Sequence, residues 1–178
     1  MLQLELGRLK HDAGYRLPLN LNAVCDPAAC GYHDMRLKAP LVLNGLAENI
    51  GGEIQVTGQL FATLLVSCSR CGADFPFSLT LPFLEIYSSQ EAPPDEAGEQ
   101  DKHVFAGASI DLTPEALRAL FAELPMKFLC REDCLGLCPA CGADLNSGQC
   151  SCFSQEIDPR WDKLRDLIKK DQQAGKGV

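Results

Sequence analysis

Residues 54–83, IQVTGQLFATLLVSCSRCGADFPFSLTLPF, decide the fold. Ile54, Val56, Leu60, Ala62, Leu64 and Val66 recur every second residue, with Gly58 interrupting the run. Phe75, Phe77, Leu79, Leu81 and Phe83 do the same on the far side of SCSRCGAD. A period of two places successive side chains on opposite faces, so each run predicts a strand with one buried face. Two such runs around a short cysteine-bearing segment predict a hairpin with a cysteine loop at its tip.

Working outward, Leu2, Leu4 and Leu6 alternate with polar residues, and so do Leu37, Ala39, Leu41 and Leu43. Gly51-Gly52 reads as a turn between strands. Residues 88–101, SSQEAPPDEAGEQD, contain five acids, two prolines and no large apolar side chain, which predicts a flexible acidic loop. A helix is expected over 113–124. Thr113 would cap it, Pro114 and Glu115 suit its first turn, and Leu117, Leu120, Phe121 and Leu124 form a stripe at helical spacing. A last helix is expected from Asp158-Pro159, with Trp161, Leu164 and Ile168 on one face and Lys169 and Lys170 near its negative end.

The expected fold class is α+β: an antiparallel β-sheet or partly closed barrel packed by one or two helices, with a cysteine-rich zinc-binding C-terminal segment. The expected organisation is a mainly β domain over 1–125, a cysteine-rich segment over 126–157, and a C-terminal helix with a basic tail over 158–178.

Ten cysteines in 178 residues need an explanation. The first residues lack the basic and apolar regions of a signal peptide, so a cytoplasmic location is expected and a disulfide framework is not. No run approaches the roughly 18 apolar residues of a membrane-spanning helix. Metal is then the first candidate. Cys68 and Cys71 form C-x-x-C, Cys130 and Cys134 form C-x-x-x-C, Cys138 and Cys141 form C-P-x-C-G, and Cys150 and Cys152 form C-x-C. A structural zinc ion takes four thiolates, commonly from two close pairs. Cys138, Cys141, Cys150 and Cys152 lie in one short segment and are assigned to a first site. Cys68, Cys71, Cys130 and Cys134 are assigned to a second, which would clip the C-terminal segment to the sheet; other cross-pairings are possible on spacing alone. Cys25 and Cys30 read as plain thiols. Four sulfurs close a site against water, which suits structure and not hydrolysis.

Catalytic signatures are missing from the sequence. There is no G-x-S-x-G, no phosphate-binding glycine loop and no H-E-x-x-H, and His11, His33 and His103 follow no ligand or triad spacing, so each reads as a surface residue. No catalytic residue, bound cofactor other than structural zinc, or small-molecule substrate is expected. The net charge is −8, from 16 basic and 24 acidic residues. From Arg160 onward six bases meet three acids, net +3, which leaves −11 on the rest. So acidic a body matches a basic protein better than a phosphate backbone.

The string LPMKFLCREDCLGLCPACGADLN at 124–146 resembles the YceD family of large ribosomal RNA subunit accumulation proteins. Cys150-x-Cys152, Ile157-Asp158-Pro159-Arg160, the earlier Cys68-Ser69-Arg70-Cys71 and the approach from Ile110-Asp111-Leu112 to Leu124-Pro125 are similar to the family's pattern too. The likeness spans about residues 35–170 by these motifs. Cys25 and Cys30 stand outside it. The resemblance implies a non-enzymatic accessory factor in ribosome biogenesis that supports accumulation of large-subunit ribosomal RNA. Its expected partner is a ribosomal protein or a large ribosomal subunit precursor, with contact to rRNA through the basic tail. Two other readings compete: a thiol-disulfide oxidoreductase using Cys68 and Cys71, and a zinc-ribbon module binding nucleic acid directly.

Overall fold

The computed structural model describes residues 1–31, 36–89, 102–148 and 150–152. The acidic loop beyond Ser89, His33 and the expected last helix lie outside the described residues, as does the side chain of Cys30. The chain divides into two compact units between Cys134 and Leu135.

The first unit is built on a five-stranded sheet of β2 (Arg16–Ala23), β3 (Leu41–Asn49), β4 (Glu53–Ser67), β5 (Asp74–Ser88) and β6 (Lys102–Val104), paired in that order. A two-stranded sheet pairs β1 (Gln3–Glu5) with β7 (Ser109–Asp111), and one α-helix, α1, spans Thr113–Ala122. The protein is therefore mostly β with a single described α-helix, an α+β fold. Every pairing is antiparallel except β5 with β6, which runs parallel in the register Tyr87 to His103. The sheet is thus mixed, not purely antiparallel.

The β4–β5 hairpin is the longest feature, fifteen residues on each arm, with Ser67 opposite Asp74 at the tip. Its alternation is that read from sequence: Ile54, Val56, Leu60, Ala62 and Leu64 are buried on β4, and Leu81 and Phe83 on β5. Gly58 interrupts the run because it faces Gly45 of β3. A Cβ on Gly58 would overlap the carbonyl oxygen of Asn44 and stand 2.9 Å from the Gly45 Cα. Only glycine lets the two backbones approach so closely.

Asn49 closes the β3–β4 turn. Its Oδ1 accepts from the N–H groups of Gly51 and Gly52, each at 2.9 Å, and its Nδ2 donates to the Leu9 carbonyl at 2.6 Å. Both glycines have positive φ, +100° and +103°, which explains the Gly-Gly pair.

Three expectations are corrected, and one strand, β2, carries no expectation from the sequence although Leu17, Leu19 and Leu21 alternate; its Pro18 sits on the outermost strand, the usual place for proline in a sheet. The second run becomes strand only from Leu41, and Leu37 makes an isolated bridge to Leu64. Thr113 is not a side-chain cap for α1. Its buried Oγ1 instead accepts the Leu2 N–H at 2.7 Å, tying the N-terminal strand to the helix, while Asp111 Oδ1 receives the Thr113 N–H at 2.9 Å. Finally, Phe121 faces outward; α1 buries Ala116, Leu117 and Leu120 against the core. On the helical wheel Phe121 lies about 40° beyond Leu117 and about 100° from Leu120, past the edge of that stripe.

Candidate metal centres

The hairpin tip begins one residue after β4 ends. The Cys68 N–H donates to the Ala73 carbonyl at 2.9 Å, and the Gly72 N–H returns to the Cys68 carbonyl at 2.8 Å. Gly72 has φ +73°, a left-handed conformation that glycine adopts without penalty. The second unit repeats this turn. Cys138 N–H donates to Ala143 O at 2.8 Å, Gly142 N–H to Cys138 O at 2.8 Å, and Gly142 has φ +73°. The flanks agree as well: Ser67 pairs with Asp74 across the first turn, and Leu137 bridges Asp144 across the second. The shared string C-x-x-C-G-A-D is thus a shared conformation, with the two cysteines facing the same side of a tight loop.

The aspartates serve different local ends. Asp74 receives the Ser67 hydroxyl at 2.5 Å and a guanidinium nitrogen of Arg36 at 3.3 Å, and these hold its carboxyl below the usual carboxylate range. Asp144 Oδ1 accepts from both the backbone N–H and the side-chain amide of Asn146, at 2.9 and 2.6 Å.

In the first unit, the segment after α1 returns to the hairpin tip. The Ser69 N–H donates to the Phe128 carbonyl at 2.7 Å, and the Phe128 N–H donates to Ser69 Oγ at 3.1 Å. Phe128 packs edge-on against Phe77 of β5, with ring centroids 5.3 Å apart. Arg70 reaches over to donate to the carbonyls of Glu132 and Cys134, at 3.1 and 2.8 Å. These contacts bring Cys130 and Cys134 to Cys68 and Cys71. Sγ of Cys68 lies 3.9 Å from that of Cys134, and Sγ of Cys71 lies 3.8 Å from that of Cys130. No disulfide joins them, since a sulfur–sulfur bond is about 2.05 Å. Four sulfurs set tetrahedrally about 2.3 Å from a zinc ion would stand about 3.8 Å apart. The observed spacing fits that arrangement.

The eight cysteines assigned from spacing fall into two groups. The ligand atoms of Cys68, Cys71, Cys130 and Cys134 all lie within 4.8 Å of one another, and so do those of Cys138, Cys141, Cys150 and Cys152. Cys25 lies apart, half-buried against the core. Each cluster could hold a metal ion. The first cysteine of each turn is the one prepared as a thiolate. Backbone N–H groups of Cys130, then Cys71 and Arg70, bring the Cys68 thiol down to about 6. Those of Cys141 and then Ala140 bring Cys138 to about 7. Amide donors aimed at sulfur favour its charged form, which is the form that binds metal.

One group escaped the sequence reading. His103 on β6 is not a free surface residue: its Nε2 lies 3.0 Å from Glu85 Oε2 and its Nδ1 lies 3.3 Å from Glu115 Oε1. The three residues come from β5, β6 and α1, and no sequence spacing signals their meeting.

Fold and cysteine geometry together define a small α+β protein with two four-cysteine clusters suited to metal. Residues 56–168 match the family described as large ribosomal RNA subunit accumulation protein YceD, and the chain belongs to that family. An uncharacterized protein of Mycobacterium tuberculosis (strain ATCC 25618 / H37Rv) is 28% identical over 179 aligned positions, covering 99% of this chain and 86% of the relative. A Mycobacterium leprae (strain TN) protein, also uncharacterized, is 30% identical over 137 positions, 75% of this chain and 61% of the relative. Uncharacterized protein YlbN of Bacillus subtilis (strain 168) is 25% identical over 142 positions, covering 79% and 81%. No solved structure matches. Among the described residues, no helix is long and apolar enough to cross a membrane.

Proposed function

We propose that the protein is a non-enzymatic accessory factor in ribosome biogenesis, which supports accumulation of large-subunit ribosomal RNA by binding a basic ribosomal protein or the assembling large subunit. The observation that carries this reading is the family match over residues 56–168, a span that begins on β4 and takes in all eight clustered cysteines. The charge distribution supports a basic protein partner: the chain carries −8 overall, net −11 up to residue 159 and +3 beyond it.

In this reading each cluster holds one zinc ion, through Cys68, Cys71, Cys130 and Cys134 in one case and Cys138, Cys141, Cys150 and Cys152 in the other. Zinc would supply a cross-link and no chemistry, because four thiolates leave no coordination position for water or substrate. The sulfur spacing near 3.8 Å and the lowered Cys68 and Cys138 thiols favour this assignment. The cytoplasm is the matching compartment, where thiols stay reduced and ribosomes are assembled.

The test is depletion of the protein in cells. The ratio of large- to small-subunit ribosomal RNA should fall, wild-type chain should restore it, and tagged chain should co-sediment with large-subunit precursors at low salt. An unchanged ratio, with the protein absent from those fractions, overturns the proposal.

A further inference from the structure

Away from the cysteines, β5, β6 and α1 converge on a compact polar group. Glu85, His103 and Glu115 offer two carboxylates and an imidazole, whose ligand atoms lie within 4.8 Å of one another. All three side chains are largely buried. Arg118, one turn beyond Glu115 on the helix, reaches into the group. Its NH2 lies 3.2 and 3.4 Å from the two Glu85 oxygens and 3.3 Å from His103 Nε2, and its Nε lies 3.1 Å from Glu115 Oε2. One guanidinium therefore spans all three donors, in the position a bound cation would take.

One feature indicates that the arginine does not complete this place: Tyr87, next but one to Glu85 on β5. It is 3% exposed, its ring centroid lies 5.4 Å from that of His103, and its hydroxyl has no hydrogen-bond partner among the described residues. A buried polar atom without a partner is uncommon and calls for a ligand.

We propose that Glu85, His103 and Glu115 form a third, exchangeable metal site, for a divalent first-row transition cation of the manganese or iron type, and that Arg118 is its built-in competitor. The donor set distinguishes it from the cysteine clusters: carboxylate and imidazole suit harder cations, thiolates suit zinc. Arg118 is 48% exposed, so its head can swing into water when a dication arrives. Metal would then bridge β5, β6 and α1, the elements that the arginine already ties together. The cysteine clusters hold their metal for structure; this site exchanges a protein cation for a soluble one and so responds to the metal concentration around it.

The test is titration of the zinc-loaded full chain with Mn2+, read by electron paramagnetic resonance. One Mn2+ per chain should bind, with amide signals of β5, β6 and α1 broadened and those of the cysteine turns unaffected. Glu85→Gln and His103→Gln should each weaken binding at least roughly tenfold. Arg118→Ala should tighten it several-fold, a gain that misfolding cannot produce. Absence of Mn2+ binding by the wild-type chain, binding unchanged in Glu85→Gln, or Arg118→Ala without tighter binding would each overturn the proposal.

Discussion

The two cysteine clusters share a turn but not a job. Both begin with C-x-x-C-G-A-D in the same conformation, with the glycine at φ +73° in each. In the second unit the partner pair, Cys150 and Cys152, begins nine residues after Cys141, so metal would close a short local loop. In the first unit, Cys71 and Cys130 are 59 positions apart, and everything from β5 through α1 lies between them. With metal bound, the same turn would fold a short segment in one place and fasten a whole sheet and helix in the other. The physical difference is chain entropy: a cross-link removes more freedom from the unfolded chain the longer the loop it closes.

That difference can be broken by substitution. Cys71→Ser in the metal-loaded protein should cost about 4 kcal/mol, the chain-entropy value for a loop of this size, against about 3 kcal/mol for Cys141→Ser. More telling than the magnitudes is where the damage falls. Hydrogen exchange should show the β4–β5 hairpin loosened by Cys71→Ser and untouched by Cys141→Ser; equal loosening by both would remove the distinction.

The sheet beneath the first cluster gives the next largest effect. Gly58→Ala forces a Cβ into the Asn44 carbonyl and should destabilise the first unit by about 1–3 kcal/mol in urea unfolding. Metal affinity of the second cluster should not change. Arg70→Ala removes two hydrogen bonds to the Glu132 and Cys134 carbonyls. It should cost about 1 kcal/mol and weaken zinc retention at the first cluster alone, measured by competition with a chromophoric chelator.

The smallest effect is a titration signature in the metal-free chain. Two thiolates should form well below the ordinary thiol range, Cys68 at about 6 and Cys138 at about 7. Because folding lowers both values, each thiolate stabilises the fold fully above the ordinary thiol value. That contribution fades as the pH falls through about 7 for Cys138 and about 6 for Cys68. Ultraviolet thiolate absorbance should lose the lower step in Cys68→Ser and the higher step in Cys138→Ser.

Much of the fold was legible because its signals are local. The alternation on β4 and β5 announced the hairpin, Gly51-Gly52 its neighbouring turn, and the Leu117 and Leu120 stripe the helix. Both knuckle turns were legible for the same reason: cysteine spacing and a following glycine act over six or seven residues. The short strands β6 and β7, three residues each, carry too few positions for a period to register. Thr113 was misread because a cap is a local expectation, while its hydroxyl was claimed by Leu2, 111 positions away. His103 looked like a solitary surface histidine for the same reason.

By itself the sequence determined the strand periodicity, the two glycine-closed cysteine turns, the acidity and the family pattern, all of which act between near neighbours or through composition. Only the tertiary structure decided which elements meet. It set the pairing of Cys68 and Cys71 with Cys130 and Cys134 at sulfur contact, the close approach of Gly45 to Gly58, and the convergence of Glu85, His103, Glu115 and Arg118. Those encounters depend on the register of a fifteen-residue hairpin and on the helix packed against it. The burial of the whole core sets that geometry, and no short stretch of residues encodes it.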